Sequence, residues 1–123
     1  MHVLRNMTQA VAPGGLLLDL QVIRPNPVVE SDGRVVCEID GGPLFRTADA
    51  AAGAVDAAVA AGALQEEAVD DHDVLKHYSS GADLIDDFAD KERKLPDGAL
   101  AGLRRLAACA VRERCRLRRL RVG

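Results

Sequence analysis

Aromatic residues are nearly absent from the 123-residue chain, which has Phe45, Tyr78 and Phe88 and no tryptophan. Without aromatic anchors, a core must be built from Leu, Val, Ile and Ala through many small contacts. The same scarcity removes the stacking surfaces on which single-stranded nucleic acids are held. Long apolar runs are missing as well. Asp19, Asp49 and Asp56 interrupt every candidate for the ~20-residue stretch that a membrane helix needs. Cys37, Cys109 and Cys115 are odd in number and form no C-x-x-C pair. A disulfide framework is therefore not expected, and the three read as small apolar fillers in a reducing compartment. The start has one arginine, Arg5, and an early Pro-Gly-Gly. It lacks the pattern of a secretory leader, so a cytoplasmic location is expected. The net charge of −3 supplies no global attraction for nucleic acid or an anionic membrane, and leaves local patches open.

What is present is a clear succession of periodic segments. Val3, Leu4, Met7 and Val11 give His2–Ala12 helical spacing, which Pro13-Gly14-Gly15 ends. Leu16–Ile23 reads as a strand with one wholly apolar face, Leu16, Leu18, Leu20 and Val22. Arg24-Pro25-Asn26-Pro27 stops it. Val28, Val29, the turn Ser31-Asp32-Gly33 and Arg34–Ile39 suggest a hairpin or an irregular excursion. An alanine-rich helix follows, with Thr47 as the expected N-cap and Gly62 as the left-handed C-cap. Leu64–Val69 reads as an acidic strand continuing irregularly to Tyr78. Ser80 and Asp83 resemble a capping box opening a helix with Leu84, Ile85 and Phe88 inward and Asp86, Asp87, Asp90 and Glu92 outward. Pro96-Asp97-Gly98 starts another helix, and Ala110–Val122 forms a last strand in which alternation places Val111, Glu113, Cys115 and Leu117 on one face and most of the arginines on the other, wet and cationic one. The expected class is α/β, in a single domain over residues 1–123.

This order resembles part of the class I S-adenosylmethionine-dependent methyltransferases. Met7-Thr-Gln-Ala-Val-Ala-Pro13-Gly14-Gly15-Leu-Leu-Leu-Asp19-Leu is similar to the family's helix, Pro-Gly-Gly turn and fifth strand. A helix, a sixth strand, further helices and an antiparallel seventh strand follow in both. The resemblance spans His2 to Val122 and implies a partial Rossmann-like sheet, the fifth to seventh strands with flanking helices, whose amino-terminal cofactor half is missing. The family's first strand ends in a glycine-rich loop facing the cofactor, and no such loop occurs in this chain. The resemblance thus implies that the chain alone binds no cofactor, and that S-adenosylmethionine belongs to a complete parent enzyme. It also implies an open flank on the Leu16–Ile23 strand, where the missing half or a second copy would pair.

Candidate site residues follow from the rule that ligands gather beyond the carboxyl ends of strands in open α/β sheets. That rule selects Arg24 and Asn26 after the first strand, and His77 and Tyr78 beyond the acidic one. Arg24 would either orient an anionic methyl acceptor or simply be solvated. His72 and His77 with Asp70, Asp71 and Asp73 offer too few converging ligands for zinc and read as a solvated acidic turn. No catalytic, cofactor-binding or metal-binding residue is assigned. The arginines have two readings. Under the family arrangement Arg112, Arg114 and Arg116 meet Glu66, Glu67 and Asp70 across strands. Otherwise they contact nucleic acid, in strongly salt-dependent fashion. The functional expectation is a methyltransferase part not competent alone, with a non-enzymatic module that pairs through its open sheet edge as the alternative.

Overall fold

A computed structural model describes residues 12–123. The helix expected over His2–Ala12 therefore lies outside the described residues, apart from its last one. The elements are β1 (Leu16–Val22), β2 (Val28–Ser31), β3 (Arg34–Glu38), α1 (Gly42–Ala60), β4 (Leu64–Tyr78), α2 (Gly81–Asp90), α3 (Leu100–Arg104) and β5 (Cys109–Val122). Among the described residues the fold is α/β, with three helices and an open, mostly antiparallel sheet of five strands. No helix among them is long and apolar enough to cross a membrane. The chain divides into two compact units, and β4 and β5 each contribute residues to both.

The first unit takes residues 12–23, Pro43–His72 and Cys115–Gly123. Its entry is the Pro-Gly-Gly turn. Gly14 adopts a φ of +79°, which favours glycine, and Gly15 N–H donates to the Ala12 carbonyl at 2.8 Å. β1 then runs antiparallel to β5, from Leu16 opposite Arg121 to Val22 opposite Cys115. Helix α1 covers this pair from one side. Val55, Leu17, Leu64, Leu120 and Val122 form its buried core, with Ala58 and Val59 packed against them. The alanines keep α1 slim, so it approaches the strands closely.

The start of α1 differs from expectation. The helix begins at Gly42, not beside Thr47. Proline at position 43 suits the first helical turn because its absent N–H has no intrahelical partner to lose. Asp40 Oδ1 accepts from Gly42 N–H at 2.9 Å, and Thr47 Oγ1 instead donates back to the Pro43 carbonyl at 3.4 Å, one turn earlier. The other end is as expected. Gly62 has a φ of +80°, and Ala63 N–H reaches back to the Ala58 carbonyl at 2.9 Å, closing a Schellman-type turn.

The second unit takes Arg24–Gly42 and Asp73–Arg114. The excursion after β1 is a true hairpin: β2 and β3 pair antiparallel, with Asp32 and Gly33 both at positive φ in the connecting turn. That backbone matches the strand twist, which is why Asp-Gly is favoured there. β2 also pairs with β5, Val29 opposite Val111. Ser80 caps α2 by accepting from Asp83 N–H at 3.1 Å, as its sequence predicts. Leu84, Phe88, Leu103, Val29, Ile39, Cys109 and Val111 close the core. Fully burying a side chain of the size of Leu84 or Phe88 contributes roughly 1.5–3 kcal/mol.

Two strand expectations need correction. β4 is continuous to Tyr78 rather than irregular after Val69, because its later acids Asp71 and Asp73 each meet an arginine of β5. In β5 the expected buried face, Val111, Glu113, Cys115 and Leu117, does not run the whole length. Val111 and Cys115 are buried, but beyond Leu117 the buried residues are Arg118, Leu120 and Val122.

Candidate functional site

The four residues selected from sequence occupy two places in the second unit. Arg24 and Asn26 lie in the loop between β1 and β2, and His77 and Tyr78 end β4. Asn26 is committed to that loop: its Nδ2 donates to Glu38 Oε1 at 2.8 Å, and its Oδ1 accepts from Gly41 N–H at 3.0 Å. The amide thereby ties the start of the hairpin to its exit. Arg24 and His77 are exposed. Tyr78 points into the unit and packs against its core.

The Tyr78 hydroxyl makes a short hydrogen bond to Asp87 Oδ2 of α2. The same oxygen accepts from Lys91 Nζ at 3.0 Å and Lys76 Nζ at 3.1 Å. The Tyr78 bond, then the two lysines, hold the Asp87 carboxyl well below the usual carboxylate range. Burial, reinforced by the bond to Asp87, pushes the Tyr78 phenol above its ordinary value. Arg93 lies nearby, with its guanidinium carbon 4.4 Å from the centroid of the Phe88 ring and Nη2 3.2 Å from Glu113 Oε1. Asp87, read from sequence as solvent-facing, is the hub that clamps α2 to the end of β4. The sequence signal was a tyrosine nine residues before an acid, which is too common to single out.

The arginines of β5 are met by carboxylates, as one of the two sequence readings expects, but with different partners. In the second unit Arg112 pairs with Glu30 of β2 (Nε–Oε1 2.8 Å) and with Asp73, and Arg114 shares Asp73 at 3.1 Å. In the first, Arg116 meets Asp71 bidentately (2.8 and 2.9 Å), and Arg118 meets Glu66 and Asp56. Arg119 and Arg121 share Glu67. Asp70, expected to join this ladder, instead contacts His72 Nδ1 at 3.0 Å. The hydrogen bond from Arg121 and the charges of Arg121 and Arg119 hold the Glu67 carboxyl below its usual range, and Arg114 and Arg112 do the same for Asp73.

The apolar face of β1 is the unexpected feature. Leu17 is buried beneath α1, while Leu16, Leu18 and Leu20 on the opposite face are 41%, 59% and 54% exposed. Directly paired residues share a face of the sheet. Arg121 therefore stands beside Leu16, Arg119 beside Leu18 and Leu117 beside Leu20. Val69, two residues along β4 from Glu67, is also exposed. The alternation of leucines was legible in the sequence; which face would be covered was not.

Chemically these groups bind and clamp. Among the described residues, no three His, Cys, Asp or Glu side chains converge as metal ligands would. Comparison of the chain with family models, with curated proteins and with solved structures finds no match.

Proposed function

We propose that the chain is the carboxyl-terminal part of an S-adenosylmethionine-dependent methyltransferase and is not catalytically competent alone. One observation carries this reading: the last strand, β5, lies antiparallel against β1, the strand that follows Pro13-Gly14-Gly15, and carries the acidic strand β4 as another neighbour. A class I methyltransferase sheet ends in the same way, with its seventh strand antiparallel beside the fifth and the sixth. Helix α1 connects β1 to β4 after the hairpin, as the family's helix connects its fifth and sixth strands. The β2–β3 hairpin is an addition to that plan. Among the described residues β1 pairs with β5 alone, which leaves the flank where the resemblance puts a cofactor-bearing half.

On this reading, acceptor positioning falls to the loop of Arg24, and S-adenosylmethionine is held by the other half. The test is genomic and then calorimetric. The DNA upstream of Met1, or a neighbouring gene, is expected to encode a strand followed by a D-x-G-x-G-like loop, and the isolated chain is expected to show no heat of binding with S-adenosylmethionine. Absence of any such coding stretch would sink the proposal. A second reading, a non-enzymatic module that pairs through its sheet edge, draws on the same flank of β1, which has no strand partner among the described residues. Sedimentation distinguishes it, because a clean monomer at high concentration counts against pairing between copies.

A further inference from the structure

The exposed leucine face carries an unequal charge pattern. Arg119 and Arg121 both turn to a single carboxylate, Glu67: Arg119 Nε lies 3.1 Å and Arg121 Nη2 3.0 Å from the same Oε1. Arg121 Nη1 donates besides to the Gly14 carbonyl at 3.0 Å. Two guanidiniums on one carboxylate leave one positive charge in excess beside Leu16, Leu18 and Leu20. Apolar surface grouped in this way and rimmed by charge marks an interaction site rather than ordinary surface scatter.

We propose that this face of β1 and β5 docks an amphipathic helix of a separate polypeptide, one whose aliphatic stripe is flanked by a carboxylate. A helix suits the shape, because β1 has seven residues and spans ~23 Å at ~3.3 Å per residue, a length that a helix of about 15 residues covers. Leucine and valine side chains meet the Leu16–Leu18–Leu20 row, and the flanking carboxylate takes the guanidinium hydrogens that Glu67 leaves unused. A second copy fits less well by charge: face-to-face packing brings the same excess positive charge from both sides, and like charges in a closing interface oppose association. The proposal stands independently of the methyl-transfer reading, since it rests on the charge and exposure of this face alone.

The test uses the full chain and two synthetic helical peptides of about 15 residues. Both carry the same leucine stripe; one has glutamates beside it and the other lysines. Fluorescence anisotropy at low salt is expected to show the glutamate peptide binding about tenfold more tightly than the lysine peptide. Leu18→Lys, at a position already exposed, is expected to abolish that binding while leaving the thermal unfolding midpoint in place. Amide chemical-shift changes should centre on Leu16, Leu18, Leu20 and Arg119. Equal affinity for the two peptides, no binding of either, or unchanged binding by the Leu18→Lys variant would overturn the proposal. So would a concentration-dependent dimer that Leu18→Lys dissolves, which would make the occupant a second copy.

Discussion

Arg118 of β5 and Glu66 of β4 meet with Nε 2.7 Å from Oε2, and the same guanidinium reaches Asp56 of α1 with Nη1 2.8 Å from Oδ1. The arginine side chain is 10% exposed, whereas Glu66 is 34% and Asp56 67% exposed. The cation is thus the buried member, and its partners keep part of their hydration. Breaking a fully buried pair costs about 3–5 kcal/mol. Arg118→Ala is expected to cost less, roughly 1–3 kcal/mol, because the carboxylates left behind are still partly hydrated. Arg119→Ala, on a half-exposed side chain, should cost under ~1 kcal/mol. Urea unfolding of the two variants checks this order, and equal losses would contradict it.

Gly81 opens α2 where no side chain fits. A Cβ placed there would stand 1.6 Å from the Leu103 carbonyl oxygen, and the Gly81 N–H donates to the Leu106 carbonyl at 3.0 Å. The obstruction is backbone, which cannot rotate away as a side-chain tip can. Gly81→Ala is expected to destabilise by about 1–3 kcal/mol or more. Gly53 is the converse case, an exposed glycine inside α1 with nothing within 4 Å of an added methyl. There alanine should stabilise by roughly 0.5–1 kcal/mol, since glycine loses more conformational freedom on entering a helix. Thermal melts of both variants should move in opposite directions.

Features governed by a few neighbouring residues were legible in the sequence, and those set by distant partners were not. The Gly62 end of α1, the Ser80 cap of α2 and the Asp32-Gly33 turn are each decided by local backbone and side-chain chemistry, and each stands where its residues predict. The start of α1 was misplaced because two local signals compete. Thr47 is a good cap in isolation, but Pro43 after Gly42, with Asp40 accepting, makes an earlier start. The arginine partners depend on strand register over separations such as the 82 residues between Glu30 and Arg112. Alternation identifies which residues share a face and leaves that register open. For the same reason the sequence shows Leu16, Leu18 and Leu20 as a stripe without showing that α1 covers the other face, where Leu17 lies.

Each arginine of β5 has a carboxylate within ion-pairing distance among the described residues. A guanidinium already held by an acid releases fewer counterions on meeting a phosphate, so salt-dependent affinity should be weak. Anisotropy of a fluorescein-labelled single-stranded DNA is expected to show no association at low salt. Tight binding that falls steeply with added salt would show that the ladder opens for nucleic acid.

Asp87 and Tyr78 should shape the pH dependence of stability from both sides. The Asp87 carboxyl is held low by the Tyr78 hydroxyl and by Lys91 and Lys76. A group whose pKa is depressed on folding contributes stability that is complete above the unfolded value, near 4 for a carboxyl, and is lost as pH falls through the folded value. Glu67 and Asp73 are shifted in the same direction and add to this acid limb. The Tyr78 phenol is raised, first by burial and then by Asp87. Its neutral form is the one the fold prefers, so its contribution is complete below the ordinary tyrosine value near 10 and declines as pH rises beyond it. Urea midpoints followed from acid to alkali should therefore hold a plateau with a fall on each side. Asp87→Asn is expected to lower the plateau and make the acid fall shallower, while the remaining shifted carboxylates keep it from vanishing. Tyr78→Phe should make the alkaline limb shallower and, because the Tyr78 bond is the foremost of the contacts that hold Asp87 low, make the acid limb shallower as well. An acid limb of unchanged steepness in Asp87→Asn would mean that the bonds from Tyr78, Lys76 and Lys91 do not hold that carboxylate in solution.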